Sequence, residues 1–423
     1  MLLQGVGVHY RAFAGDQPGG TPKAAMNPLI KFCCRAYQLA FRLAMPLLPY
    51  REPERLESIR ALPPLLEGLG LDAVLLVTDR PLREAGVTGP LEELLKRSGI
   101  RCAVYDGTRA NPTVQNVEEA RERYLAEGCG GIIAFGGGSS MDCAKAVGAR
   151  IVYPRRSVNE MRGLLRVLRR LPPLIAIPTT AGTGSEVTVT AVITDSLRKH
   201  KYTMNNFTMI PHYAVLDPAV TRTLPPPLTA TTGMDALTHA VEAYIGGSTT
   251  RETRRLALQA VRLVFENIEA AYQNGEDLEA RKNMLHAAHI AGIAFSKSYV
   301  GYVHAVAHSL GGQYNTPHGL ANAALLPAVL EAYGPCVRRK LWELGQSAGL
   351  PAADSEETGA AAFISAIRQL NRRLGIPERL PGIRREDIPV MAAHAAREAN
   401  PLYPVPRLMS AAELEQFYDA ISE

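Results

Sequence analysis

Residues 131–145 read GIIAFGGGSSMDCAK, an apolar run that passes through three glycines into a helical pattern. GIIAF (Gly131–Phe135) is short and lacks polar alternation, as expected of a strand buried on both faces. Glycine lets a backbone approach a phosphate closely. The helix expected from about Ser140 to Arg150 would present free N–H groups to the same anion. The pattern is not GxGxxG, and any tight strand-to-helix turn favours glycine, so this turn by itself leaves both readings open. A second polar turn, TTAGTGSE (Thr179–Glu186), follows a strand expected at Leu174–Ile177. Open parallel sheets take ligands at the carboxyl ends of their strands, and two such turns there point to a nucleotide.

Working outward, DAVLLVT (Asp72–Thr78) and Arg101–Tyr105 read as further strands. Helices are expected over Leu91–Ser98 and Thr113–Glu127. Strands alternating with helices argue for a parallel sheet covered on both faces. Asp79, at the end of the first strand, suits ribose hydroxyls and would repel a 2′-phosphate, which selects NAD. A loop-capping aspartate is the alternative.

After Pro225-Pro226-Pro227 the texture becomes helical, with runs near 228–246, 249–273, 278–296, 300–312, 319–335, 336–349, 356–374, 384–399 and 411–421. Thr249 and Glu252 have capping-box spacing. The expected architecture is an N-terminal α/β dinucleotide-binding domain with a parallel sheet (55–225), then an all-α, metal-binding domain (226–423). Residues 1–54 form a leader and an amphipathic helix.

The metal reading rests on histidine spacing. Asp235 and His239 stand at i, i+4, as do His304 and His308, and His318 follows in a turn, TPHG. Residues four apart share a helix face. Imidazole and carboxylate suit iron, zinc, cobalt or nickel, whereas magnesium and calcium prefer oxygen. The alternative is a set of histidines satisfying hydrogen bonds inside a bundle. His286 and His289 (HAAH) have no carboxylate in their pattern and are assigned to packing. His9, His200, His212 and His394 stand alone.

Composition narrows the class. With 423 residues, 47% hydrophobic and 21% charged, the chain reads as a two-domain globular enzyme. The net charge of +5 has one concentration, Arg155, Arg156, Arg162, Arg166, Arg169 and Arg170, read as a solvated helix face ahead of an anion site. No basic stripe interleaves with aromatics, so no nucleic acid is expected. Six cysteines without a CxxC pair or a preceding secretory signal indicate a reducing, cytoplasmic setting. Residues 15–22 are a Gly/Pro-rich leader. The apolar stretch Asn27–Tyr50 carries Lys31, Arg35 and Arg42, which spoils a transmembrane span. An amphipathic helix fits better, docking on its own protein ahead of a neighbouring subunit and, last, in peripheral contact with a membrane.

In order and separation, GGGSSMDCAK, PTTAGTGSE, GMDALTHAVEAY, AGIAFS and HAVAHSLGGQYNTPHGLANA resemble motifs of the iron-containing (group III) alcohol dehydrogenases. The likeness runs from about residue 55 to the C-terminus. It implies a dehydroquinate synthase-like architecture and hydride exchange between NAD and a small alcohol or its aldehyde or ketone. It also implies a homo-oligomer and metal ligands Asp235, His239, His304 and His318. Fe²⁺ is the metal implied, with Zn²⁺ its competitor on intrinsic affinity. His308 becomes the catalytic histidine. Gly137, Gly138, Ser139 and Asp142 line the pyrophosphate, Thr179, Thr180 and Thr183 line the nucleotide cleft, Asp79 selects NAD and Lys201 lies near the cofactor. Ser140 and Ser309 stand where proline is frequent. Tyr299 and Tyr302 are bulkier than expected before His304, which suggests a narrowed substrate pocket. The alternatives are a lyase that retains its NAD, which would not accumulate NADH, and a non-catalytic metal or NADH sensor.

Overall fold

The computed structural model describes residues 26–45, 48–196 and 200–423; the leader at 15–22 lies outside them. Helix α1 (Pro28–Ala44) comes first, capped by Asn27 Oδ1, which accepts from the Leu29 amide. Strands β1 (Glu54–Leu56), β2 (Ala73–Val77), β3 (Arg101–Tyr105) and β4 (Gly131–Gly136) follow. Interleaved with them are α2 (Leu62–Gly68), α3 (Arg80–Glu84), α4 (Gly89–Arg97), α5 (Val114–Ala126) and α6 (Gly138–Val152). Then come β5 (Gly163–Leu164), β6 (Leu174–Pro178), β7 (Thr190–Asp195), β8 (His200–Asn205) and β9 (Tyr213–Val215).

Six strands make one sheet, order β1-β9-β6-β4-β2-β3, parallel at every pairing. Every residue of β2, β4 and β6 is buried, which explains their unbroken apolar runs. From β2 the chain runs to β3 on one side and then to β4 on the other. The switch point therefore lies between the carboxyl ends of β2 and β4, and it brings Asp79 and the glycine turn to one crevice.

The rest is helical: α7 (Pro226–Ile245), α8 (Arg251–Gln273), α9 (Leu278–Ser298), α10 (Tyr302–Tyr314), α11 (His318–Tyr333), α12 (Arg338–Ser347), α13 (Glu356–Arg373), α14 (Ile388–Ala399) and α15 (Ala411–Ile421). These share one apolar core, while separate cores cover the two faces of the sheet. The α/β sheet followed by helices is the architecture expected.

Three details differ from the sequence reading. A second sheet, β5-β8-β7, was not anticipated, although β7 carries the period-2 signal: Ala191 and Ile193 are buried between less buried neighbours. The arginine cluster does not lie on a helix. A short turn at Val158–Met161 ends before Gly163 and Leu165, both at positive φ (91° and 54°), a backbone that cannot continue a right-handed helix. The cap of α8 falls on Thr250, whose Oγ1 accepts from the Thr253 amide, and Glu252 instead pairs with Lys297.

Candidate functional site

Helix α7 is buried along most of its length, and small residues let its neighbours close on it. A Cβ on Gly233 would stand 2.6 Å from Ile268 Cδ1 and 2.8 Å from the Met284 methyl. From this helix project Asp235 and His239, one turn apart. Helix α10 brings His304, and α11 begins at His318. The ligand atoms of Asp235, His239 and His304, all buried, lie within 4.8 Å of one another. His318 Nε2 completes the group 3.5 Å from Asp235 Oδ1. The His239 and His304 rings stack at 4.4 Å, and Phe295 backs His239 at 4.1 Å.

His239 Nδ1 and His304 Nε2 are buried without any hydrogen-bond partner. Each such nitrogen costs about 1–3 kcal/mol, and two beside a carboxylate form a donor set that a cation would satisfy. Desolvation lowers His239 to about 3 and His318 to about 4, so both imidazoles keep a free lone pair. Burial also works against a charged His304, but Asp235 and Glu242 on either side outweigh it and raise the ring to about 9. Burial alone would raise the Asp235 carboxyl. His239, His318 and His304 reverse this and hold it far below the usual range. One carboxylate and three imidazoles fit Fe²⁺ or Zn²⁺.

Several supporting groups were missed in the sequence. Glu242 accepts from the Gly301 and Val303 amides and lies 2.6 Å from His304 Nδ1, which leaves Nε2 for the centre. Asn322 donates to Asp235 Oδ1 at 2.7 Å. His308 stacks on His318 at 5.1 Å, and its Nδ1 lies 2.6 Å from Glu398 Oε1, which also accepts from the Tyr403 hydroxyl. Glu242 and Asn322 stand three and four residues past His239 and His318, on the same helix faces. That spacing was the available signal.

The two glycine turns abut. A Cβ on Gly138 would come 3.1 Å from the Thr183 methyl, and one on Gly137 3.5 Å from Thr180. Gly137 is the N-cap of α6, so free amides face this cradle. Ser139 Oγ donates to the Ala110 carbonyl. Asp142 has both oxygens engaged, by Ser185 Oγ and the Val192 amide, and sits beside Lys145. Asp79 caps α3 through Oδ1, which accepts from Leu82 N, at the rim of the same crevice. Thr179 is buried, and Thr180 and Thr183 are half-buried on the β6 turn. Lys201 lies on β8 opposite Thr194, exposed, and among the described residues no hydrogen bond ties it to either turn.

Two tyrosines and one histidine differ from expectation. Tyr302 does not narrow a pocket. Its ring is fully buried, and its hydroxyl donates to Asn400 Oδ1 and accepts from the Met409 amide. Tyr299 turns its ring toward Phe41 of α1, edge-on at 5.1 Å. His289 does have a carboxylate partner, Glu186, 3.2 Å away across the join between sheet and helices.

Comparison with known proteins gives consistent matches along most of the chain. The family model "Iron-containing alcohol dehydrogenase" matches residues 55–218, and "Fe-containing alcohol dehydrogenase family, C-terminal" matches 229–422. Alcohol dehydrogenase 4 of Saccharomyces cerevisiae (strain YJM789) is 38% identical over 77% of this chain and 85% of its own length. NAD-dependent methanol dehydrogenase of Bacillus methanolicus is 36% identical over 78% and 87%. Among solved structures, a 1,3-propanediol oxidoreductase superposes with a TM-score of 0.85 at 35% identity, covering 88% of this chain and 99% of that one.

Proposed function

The chain belongs to the iron-containing alcohol dehydrogenase family and is an NAD-linked alcohol dehydrogenase; on that premise we propose that Asp235, His239, His304 and His318 hold its Fe²⁺-type metal and that His308 serves the reacting oxygen. The observation that carries this reading is the pair of buried, unpartnered imidazole nitrogens beside Asp235. When bound, the metal would supply Lewis acidity toward the alcohol oxygen and NAD a hydride acceptor.

The chain's own groups do the rest. Glu242 orients His304, and Asn322 orients Asp235. His308, tied at Nδ1 to Glu398 and 42% exposed, has Nε2 free to pass the alcohol proton to solvent. Gly137, Gly138 and Ser139 cradle the pyrophosphate at the start of α6. Thr179, Thr180 and Thr183 wall the nucleotide cleft. Asp142 acts from behind, holding the second turn through Ser185. Asp79, at the crevice rim, is assigned to the ribose, which favours NAD, and Lys201 is assigned to the cofactor's vicinity.

Residues 55–225 bind the nucleotide and 226–423 the metal. The substrate is a small primary alcohol or diol, in line with the names of the relatives. All six cysteines are free, which suits a reducing, cytoplasmic setting, and a homo-oligomer is the assembly proposed.

The test is NADH formation at 340 nm under anaerobic conditions. Metal-stripped protein reloaded with Fe²⁺ or Zn²⁺ is given NAD and a panel of small alcohols and diols. Metal-dependent NADH formation that His318→Ala lacks supports the assignment. A His318→Ala variant that binds metal and turns over like the parent removes His318 from the ligand set.

A further inference from the structure

Helix α1 is not used by the site, and it presents its faces in an unusual way. Its inner face carries much of its polar chemistry. Gln38 is buried and donates to the Tyr403 carbonyl at 2.7 Å. Arg35 donates to the Val405 and Pro406 carbonyls at 2.8 and 2.9 Å and to Gln38 Oε1. Cys34 is buried beside them, and Phe41 packs edge-on against Tyr299. The helix is thus fixed to its own chain, as the favoured sequence reading expected.

The outer face is apolar. Leu29, Phe32, Leu39 and Leu43 are 57–70% exposed, with Ala36, Ala40 and Cys33 among them. At 100° per residue these positions span a broad sector, and Lys31, Arg35 and Arg42 fall together along one flank of it. The helix contains no acidic residue, and among the described residues no ion pair involves any of the three cations. Beyond the helix, Arg42 lies within electrostatic reach of Lys340, where Arg254 adds positive and Glu343 negative charge.

Leu29, Phe32, Ala36, Leu39 and Leu43 follow the 3-4 spacing of a coiled-coil seam, so a second copy of the helix is the competing occupant. Two features disfavour it. The seam covers two heptads, fewer than the three or four that sustain a coiled coil. The flanking positions where opposite charges would pair are Arg35 and Arg42 on one side and Cys33 and Ala40 on the other, so no acid is present to answer the arginines. A broad apolar face edged by Lys31 and Arg42, which have no ion pair among the described residues and can reach toward headgroups, is instead the pattern of a helix lying in a membrane interface.

We infer that α1 is an in-plane anchor that seats the enzyme on an anionic phospholipid surface through Leu29, Phe32, Leu39 and Leu43, with Lys31 and Arg42 facing the headgroups. A second patch has the same chemistry. Leu164 and Leu168 are 55% and 69% exposed among Arg162, Arg166, Arg169 and Arg170. Arg51, on the segment leading from α1 into the sheet, feels Arg170 as a like charge.

The test is co-sedimentation of the full-length, metal-loaded enzyme with vesicles of phosphatidylcholine alone or with an equal share of phosphatidylglycerol. The parent is expected to pellet with the anionic vesicles and to be released as salt rises. Phe32→Ser/Leu39→Ser/Leu43→Ser and, separately, Lys31→Glu/Arg42→Glu should each lower partitioning at least tenfold while the soluble enzyme's NADH formation is unchanged. No pelleting of the parent, equal pelleting with uncharged vesicles, or undiminished binding by the triple variant would overturn the inference. Sedimentation velocity identifies the competing occupant: if the parent ignores vesicles and the triple variant falls to a smaller assembly, the face joins two copies of this chain.

Discussion

Glu242 accepts from two backbone amides and holds the His304 ring, so its carboxylate positions a proposed metal ligand without touching the metal. Glu242→Gln should weaken metal binding by about 10–100-fold, read by competition against a chromogenic chelator, with little change in secondary structure. The thiols allow a second residue-scale test. Burial raises Cys102 and Cys143 to about 12 and Cys129 to about 11. In the folded state their reactive thiolates form only as pH climbs toward those values. Alkylation at pH 8 followed by peptide mass spectrometry should therefore mark exposed Cys33 and Cys336 and spare these three until the protein unfolds. Legibility at this scale followed chain distance. Asp235 with His239 could be read because one helical turn brings them together. Glu398 could not, because it meets His308 from 90 residues away, and only the packing of α14 on α10 joins them.

Elements with a strong period were readable. Arg101–Tyr105 and Ala411–Ile421 have the ends read from the sequence, and β2, β4 and β6 announced themselves as unbroken apolar runs. What failed was short or stabilised from a distance. Strands β1 and β9 have three residues each and gain definition only by pairing, β1 with β9 and β9 with β6. Tyr302 shows the same limit. Beside His304 it looked like a pocket residue, yet it enters the core because Asn400 and Met409, about a hundred residues later, supply partners for its hydroxyl. Tyr302→Phe would leave the buried Met409 amide without its acceptor, at a cost of about 1–3 kcal/mol. Thermal unfolding should show a lower midpoint, with NADH formation at room temperature nearly unaffected.

Over the whole molecule, the sheet half and the helical half meet backbone to backbone. Gly184 adopts φ 58°, and a Cβ there would stand 2.8 Å from Gly292 Cα; a Cβ on Gly182 would stand 2.7 Å from the Thr232 carbonyl. Gly184→Ala adds the left-handed penalty of about 1–2 kcal/mol to an overpacking cost of about 1–3 kcal/mol. It should lower the thermal midpoint and weaken NADH binding, which a fluorescence titration would measure. An Ala variant as stable as the parent would mean that the halves have room to separate there. The sequence showed both glycines, in TTAGTGSE and AGIAFS, but not that each is needed because of the other. Side-chain contacts can yield by changing rotamer; two bare main chains pressed together cannot. Gly184 and Gly292 are thus the expected fulcrum of any opening of the crevice, which would be rotation rather than sliding, with displacement growing with distance from the glycines.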